Sequence, residues 1–289
     1  MKTRAFTFLL LATALLSCLS AQAQQAQPQP QPLIFWYDYT VNAGKEDDFL
    51  NLVKTVGAPV RDKLMADGVV LAWGVMVPML RQPSGGTHMI WYAVADWSGL
   101  EKVDSAMRAQ IAKLTAEGSK AAETAKKGQK SSASPMDRLR ELVDYNKTRD
   151  YLTRDLVSRL MDPYPSGVLP HTRFAFTKVK PGKGGDYRRA WEKYNKPVLD
   201  KLVGNGVILG YGFSVEELRV SGEFTHFTWI DVKELSAFDK LRDAFAADRA
   251  RRSSEERDAI GDLFSSLTDA DAARSEVWRS IIFRVPGQK

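Results

Sequence analysis

The chain has 289 residues, of which 44% are apolar and 26% are charged, proportions typical of a globular protein with room for two ordinary domains. Its formal net charge is +6, and the basic residues are spread along the chain rather than gathered into one stripe. This charge pattern argues against nucleic-acid binding.

Residues 1–23 have the features of a signal peptide. Lys2 and Arg4 form a positive amino-terminal region, residues 6–16 are apolar, and Ala21-Gln22-Ala23 is a small-x-small cleavage site. Because the apolar run is too short for a membrane anchor, we expect a cleaved, periplasmic or secreted protein with no membrane attachment. The alternative is lipoprotein processing at Cys18.

Cleavage would remove Cys18, the only cysteine, so the mature chain would have no disulfide and no thiolate metal site. It would also remove two of the 41 basic residues, which leaves 39 against 35 acidic ones and a net charge of +4. Glutamine and proline alternate through residues 24–32, a composition that predicts a disordered or polyproline-like spacer.

A first folded unit is predicted at residues 33–148. An amphipathic helix follows the first strand, and Pro59 should break or kink it. A hairpin loop at 81–86 separates the second and third strands, and Ser98 should cap the second helix. The predicted strands are 34–41, 69–80, 87–95 and 139–145.

A second unit at 171–289 repeats this order after a linker at 149–170. Its predicted strands are 172–179, 207–218, 225–232 and 277–285, and its predicted helices are 186–205 and 236–267. Pro197 should interrupt the first of these helices as Pro59 does in the first unit.

The two units are related by a duplication with an offset of 138 residues. Between 44–107 and 182–245, 22 of 64 positions are identical, whereas about one in sixteen is expected from composition. Each unit reads β-α-β-β-α-β, the ferredoxin-like order. Their strands are apolar on both faces, so we expect two sheets to cover each other as a pseudo-dimeric α/β barrel within one monomer.

A resemblance follows from this topology, from the Gly44-Lys45 turn before an amphipathic helix, and from the Asp67-Gly68 and Asn205-Gly206 turns before the second strands. The chain resembles a fused pair of dimeric α/β-barrel domains, the superfamily of antibiotic-biosynthesis monooxygenases, EthD-like and NIPSNAP-like proteins. The resemblance implies an α+β fold. Because the superfamily includes cofactor-free oxygenases, haem-degrading oxygenases, isomerases and binding proteins, it does not select a function.

His88 and His226 hold the same place in both units, at the start of the third strand. They are candidates for a catalytic acid/base pair at the barrel rim, and the alternative is a histidine that caps a strand. We expect no metal, because neither histidine has a carboxylate at ligand spacing. The haem-degrading branch uses a histidine on a helix as its iron ligand. Because the repeated histidines of this chain open strands instead, we also expect no cofactor.

Aromatic side chains on the strands, interrupted by two carboxylates, predict a pocket for a small apolar or aromatic molecule. A packed aromatic core with structural ion pairs is the alternative. The candidate ligand-binding residues are Trp36, Asp38, Trp73, Trp91, Tyr211, Trp229 and Asp231.

Three functions follow from these residues. The first is an exported cell-envelope protein that binds a small molecule in the barrel. The second is a cofactor-free monooxygenase or isomerase that uses a rim histidine. The third is a structural protein whose barrel is filled.

Overall fold

The computed structural model describes residues 31–80, 85–124, 134–219 and 222–286. The expected signal peptide, the expected spacer up to residue 30 and residues 81–84 of the expected hairpin loop lie outside these ranges.

The strands within the described ranges close into one antiparallel barrel. They are β1 (Leu33–Tyr39), β2 (Val70–Pro78), β3 (His88–Val94), β4 (Arg149–Leu160), β5 (His171–Val179), β6 (Gly210–Glu216), β7 (His226–Val232) and β8 (Thr268–Arg284). Around the barrel the order is β1-β3-β2-β8-β5-β7-β6-β4, and β4 pairs with β1 to close the ring.

The first half, β1 to β4, meets the second half, β5 to β8, edge to edge. The joining pairs are β2 with β8 and β4 with β6. The expected α+β fold with a barrel is confirmed. Its two halves are joined by hydrogen bonds between edge strands, so the described strands form a closed ring rather than two separate sheets.

Helices cover the outer side of the strands. They are α1 (Glu46–Leu52), α2 (Ala58–Ala66), α3 (Trp97–Thr124), α4 (Pro135–Leu142), α5 (Gly184–Tyr194), α6 (Lys196–Gly204), α7 (Ala237–Ala250) and α8 (Ser254–Leu267). Pro59 and Pro197 lie in the first turns of α2 and α6. A π-helical turn, Val53–Gly57, joins α1 to α2 without a break, whereas α5 and α6 are separated at Asn195. None of the helices in the described ranges combines the length and the apolar character needed to span a bilayer.

Each strand has one face toward the helices and one toward the barrel interior, as β1 illustrates. Leu33 and Tyr37 belong to a hydrophobic cluster shared with α1, α2 and α3, whereas Ile34 and Trp36 belong to a separate cluster of strand and loop residues. Side chains two positions apart share a face because they alternate along a strand. A further cluster covers the outer face of the second half.

The sequence repeat has a structural basis at the joint between helix and strand. Asp62 Oδ1 on α2 accepts a hydrogen bond of 2.8 Å from Trp73 Nε1 on β2. At the matching positions, Asp200 Oδ1 on α6 accepts one of 2.8 Å from Tyr211 Oη on β6. Each bond fixes the second helix of its half onto the outer face of a strand, and a bond of this kind contributes about 1 kcal/mol.

The fourth strand was predicted in the wrong place. Residues 139–145 were expected to be a strand, but α4 covers most of them, because Pro135 follows Ser134, whose Oγ accepts a bond of 3.2 Å from the Asp137 amide. β4 instead occupies the first part of the expected linker at 149–170. Its inward positions are polar, which hid its strand character in the sequence.

The expected helix at 236–267 is two helices, α7 and α8. Ser253 starts the second one with a capping box, in which its Oγ accepts a bond of 3.1 Å from the Glu256 amide. β8 is also longer than predicted, beginning at Thr268 rather than at Val277.

Candidate functional site

Two cavities lie inside the barrel, at successive levels along the strands. The large cavity has a volume of about 470 Å³ and the small cavity one of about 260 Å³. Trp36 on β1 and Phe174 on β5 border both of them, and the edge of one ring meets the face of the other at 5.6 Å between centroids. These two rings form the partition between the cavities.

The walls of the large cavity are mostly aromatic. Phe176 on β5 contacts Phe224 at 5.0 Å and Phe227 at 5.6 Å between ring centroids. Trp36 is held by a buried hydrogen bond of 2.8 Å from its Nε1 to Thr153 Oγ1. This surface suits a flat apolar ligand.

Asp38 is a half-buried acidic residue in this aromatic wall. Among the described residues, no partner hydrogen-bonds its Oδ1. Gly86 packs so closely that a Cβ there would lie 1.5 Å from this oxygen. Burial, reinforced by the negative charge of Glu276, raises the pKa of Asp38 to about 7, although Arg149 and the Gly86 backbone act to lower it. The carboxyl can therefore hold or release a proton near neutrality.

Two arginines at equivalent places in the barrel also line the large cavity. Arg149 on β4 is opposite Asp38 of β1, and Arg274 on β8 is opposite Phe176 of β5. Glu223 pairs with both arginines, and its Oε2 lies 3.4 Å from Arg274 Nη2. Arg274 also lies over the Phe176 ring at 4.4 Å. These groups provide polar contacts for a ligand held between the rings.

The small cavity contains a second pair of carboxyl groups. Asp155 on β4 and Asp231 on β7 are 3% and 6% exposed. Asp155 Oδ1 accepts bonds from Ser214 Oγ and, at 3.2 Å, from Trp229 Nε1. Asp231 Oδ1 accepts a bond of 2.6 Å from Thr172 Oγ1. Burial raises the pKa of both carboxyls, and the charge of Asp155 raises that of Asp231 further.

The structure divides the predicted ligand-binding residues among three places. Trp36 and Asp38 line the large cavity, and Trp36 also borders the small one. The small cavity is also lined by Trp91, Trp229 and Asp231.

Trp73 and Tyr211 lie on the helix-facing side of the barrel, bonded to α2 and α6, so their expected place in the pocket is corrected. In the β2–β3 register Trp73 is opposite Tyr92, whose side chain faces the helices, while the inward Trp91 is opposite Gly74. The alternation of the strand therefore points Trp73 outward.

The two histidines also face the helices rather than the barrel interior. His88 packs against Phe49 at 5.1 Å and His226 against Tyr187 at 5.6 Å between ring centroids. Burial lowers the pKa of both, that of His226 to about 4 with a further contribution from Arg219. Neither histidine lines the two interior cavities, so their expected role at a ligand pocket is corrected, although His226 borders a separate outer recess.

The threonine before each histidine ties two strands together. Thr87 Oγ1 accepts a bond of 2.8 Å from the Val41 amide, and Thr225 Oγ1 accepts one of 2.8 Å from Val179. The histidine Nδ1 atoms lie 3.1 Å and 2.9 Å from these hydroxyl oxygens. This repeated contact matches the alternative of a strand-capping histidine.

Sequence reasoning missed the polar side chains of the last strand in each half, including Asp155, Arg149, Arg274 and Glu276. The signal available in the sequence was the spacing of Tyr151, Thr153 and Asp155, which occupy every second position as the side chains on one face of a strand do. Within the described ranges, no group of three or more histidine, cysteine or acidic side chains is placed to hold a metal ion.

Comparison with known proteins shows similarity in structure only. No protein-family model and no curated protein matches the sequence. A putative monooxygenase from Fusobacterium nucleatum aligns over 90% of this chain and 97% of its own, with a TM-score of 0.57 and 10% identity. The chain therefore shares the fold of this protein.

Two further solved structures support the same conclusion. An anthrone oxidase-like protein aligns over 90% of this chain and 95% of its own, with a TM-score of 0.50 and 12% identity. A second putative monooxygenase, from Lactobacillus acidophilus, aligns over 89% and 97%, with a TM-score of 0.53 and 8% identity. Identities this low show the fold and leave the function to the site itself.

Proposed function

We propose that the protein binds a small apolar or aromatic molecule in the large cavity. The observation that carries the proposal is the cavity of about 470 Å³ between the rings of Trp36, Phe174 and Phe176, with the half-buried Asp38 in its wall. Aromatic walls would bury the body of the ligand, and the carboxyl would orient one polar group. An open interior of this size weighs against a barrel filled for purely structural reasons.

We propose further that the barrel is a tandem duplication of two ferredoxin-like units and belongs with the antibiotic-biosynthesis monooxygenase, EthD-like and NIPSNAP-like proteins. The support is the repeated sequence and the matching strand neighbours of β1 to β4 and β5 to β8.

We also propose export to the periplasm or medium after cleavage at Ala23. Intact mass of the exported protein tests this, since a lipid on Cys18 would contradict it.

Binding can be tested by thermal unfolding with a panel of flat aromatic compounds. A compound that binds only the folded chain raises the melting temperature. Trp36→Leu should remove the response of the best compound, because this ring forms a wall of the cavity. Trp97→Leu is the matched control, since Trp97 is 51% exposed on α3, and its response should equal that of the wild type.

Two results would contradict the proposal. One is that no compound in the panel shifts the melting temperature of the wild-type chain. The other is that Trp36→Leu, once shown to be folded, responds like the wild type.

A proton-transfer enzyme, either an isomerase or a cofactor-free oxygenase, is the second candidate. The observation that favours it is the pKa of Asp38, about 7, inside an aromatic cavity. The carboxyl, rather than a histidine, would serve as the base. Asp38→Asn should then abolish turnover of a bound compound while its affinity changes much less. Turnover that survives in Asp38→Asn would leave binding as the function.

A further inference from the structure

The small cavity contains two acids and no basic side chain among its described lining residues. Asp155 and Asp231 are both buried there, and no lysine, arginine or histidine lines the space. The large cavity differs, because Arg149 and Arg274 accompany its acids. Negative charge in the small cavity is therefore opposed only by hydroxyl and indole donors.

An uncompensated buried carboxylate is expensive, so the site favours a positive partner. The two acidic residues lie on strands separated by β6. Asp155 is opposite Ser214 of β6 and Asp231 is opposite Gly210, four residues along the same strand, so the two acids face the cavity diagonally. Their side chains project into the same cavity, and the charge of Asp155 acts on Asp231. A single small cation in the cavity can contact one carboxyl and be attracted by the charge of the other.

The remaining walls suit the apolar body of such a cation. Trp91, Trp229, Phe174 and Phe283 line the cavity, and the Trp91 and Phe283 rings lie 5.8 Å apart between centroids. Aromatic faces attract an ammonium group as well as apolar carbon. Leu160, 44% exposed, lines the same cavity, so the space reaches the barrel surface.

We propose that the small cavity is a second binding site, for a small organic cation: a protonated primary amine on an apolar or aromatic body. The ammonium group donates hydrogen bonds to the carboxyl of Asp155 or Asp231 and is attracted by the charge of the other, and the body lies among the tryptophan rings. The acids of this site are distinct from Asp38, so either site can fail alone, although Trp36 and Phe174 border both cavities.

Benzylamine and benzyl alcohol form a matched pair of probes. Titration calorimetry of the full chain at about pH 8, where an alkylammonium stays protonated, should show benzylamine binding and the alcohol binding about tenfold more weakly or not at all. Asp231→Asn and Asp155→Asn should each weaken benzylamine binding by about tenfold. Asp38→Asn, the same change in the large cavity, should bind benzylamine like the wild type.

The wild-type chain provides a readout that requires no variant. In ¹H–¹⁵N spectra, benzylamine should shift the indole N–H signals of Trp91 and Trp229 and leave that of the exposed Trp97 in place. The proposal is overturned if benzyl alcohol binds as tightly as the amine, if the indole signals of the cavity do not move, or if folded Asp231→Asn and Asp155→Asn retain full affinity.

Discussion

The two halves of the barrel are alike on the outside and different on the inside. Each half packs an inward tryptophan across a glycine of the next strand: a Cβ at Gly74 would lie 2.8 Å from Trp91 Nε1, and one at Gly212 would lie 2.2 Å from Trp229 Nε1. Each half also bonds an aspartate of its second helix to an aromatic side chain of the strand beneath.

The interior positions have diverged between the same two halves. Asp38 of the first half corresponds to Phe176 of the second, and Ala93 corresponds to Asp231. The first exchange places the Asp38 carboxyl in the large cavity, and the second places the Asp231 carboxyl in the small cavity. The two cavities therefore have different chemistry. Helix packing and tryptophan–glycine contacts therefore maintain the shared framework, while substitutions along the inward faces produce two unlike sites.

The largest expected effect is that of adding a methyl group beneath the tryptophan of the second half. Gly212→Ala should lower the free energy of unfolding by about 3 kcal/mol, because the rigid indole ring must move inside a packed barrel. Gly74→Ala should have an effect of the same sign, about 2 kcal/mol, because its Cβ would lie 2.8 Å from both Trp91 Nε1 and the backbone oxygen of Ile282. Urea-induced unfolding measures both.

Gly261→Ala is the matched control for these variants. Gly261 lies in α8, and a Cβ there would meet nothing within 4 Å. Alanine should stabilise that helix by up to about 1 kcal/mol. If Gly212→Ala is no less stable than Gly261→Ala, the close packing at Gly212 is refuted.

The next largest effect is a pH dependence of stability, which Asp38 can cause and its counterpart Phe176 cannot. The folded chain raises the pKa of Asp38 to about 7, above the roughly 3.9 expected when unfolded, so its protonated form adds stability below about pH 4. That stability is lost as the pH rises toward and through 7. The asparagine of Asp38→Asn cannot ionise. The free energy of unfolding of this variant, relative to that of the wild type, should therefore rise by about 2 kcal/mol from pH 5 to pH 8.

Asp271→Asn provides the comparison, because Asp271 is exposed on β8. The difference from the wild type should depend more strongly on pH for Asp38→Asn than for this variant. A difference for Asp38→Asn that stays constant across the same pH range would contradict the raised pKa of this carboxyl.

The smallest expected effect on stability is that of moving the Asp38 carboxyl without changing it. Gly86→Ala should cost under about 1 kcal/mol, since the clash is with the end of a side chain that can rotate. The affinity for compounds bound in the large cavity should nevertheless fall, by about tenfold if one hydrogen bond is lost. Titration calorimetry measures this, with Gly204→Ala on α6 as a control that should bind normally.

The sequence predicted the framework because its signals are local or repeated. The duplication marked equivalent turns at Gly44 and Gly182, and the prolines marked the first turns of α2 and α6. The last strand of each half was harder to predict. β4 alternates polar side chains inward and β8 extends through charged residues, a pattern typical of linkers, because strand prediction assumes an apolar buried face.

The candidate site was predictable only in part for a related reason. Which face of β2 looks inward depends on its register with β3, a relation between distant segments that the sequence does not state. Trp73 and Tyr211 were therefore predicted on the wrong face. The histidines were singled out because they are repeated, but their repetition reflects a threonine–histidine contact between strands.

The central claim, that the large cavity is a ligand site, is tested most directly by a crystal structure of the chain with the compound that most raises its melting temperature. The account predicts density between Trp36 and Phe176, with a polar atom of the compound within hydrogen-bond distance of Asp38. Density in the outer recess beside His226, with the large cavity empty, would contradict it.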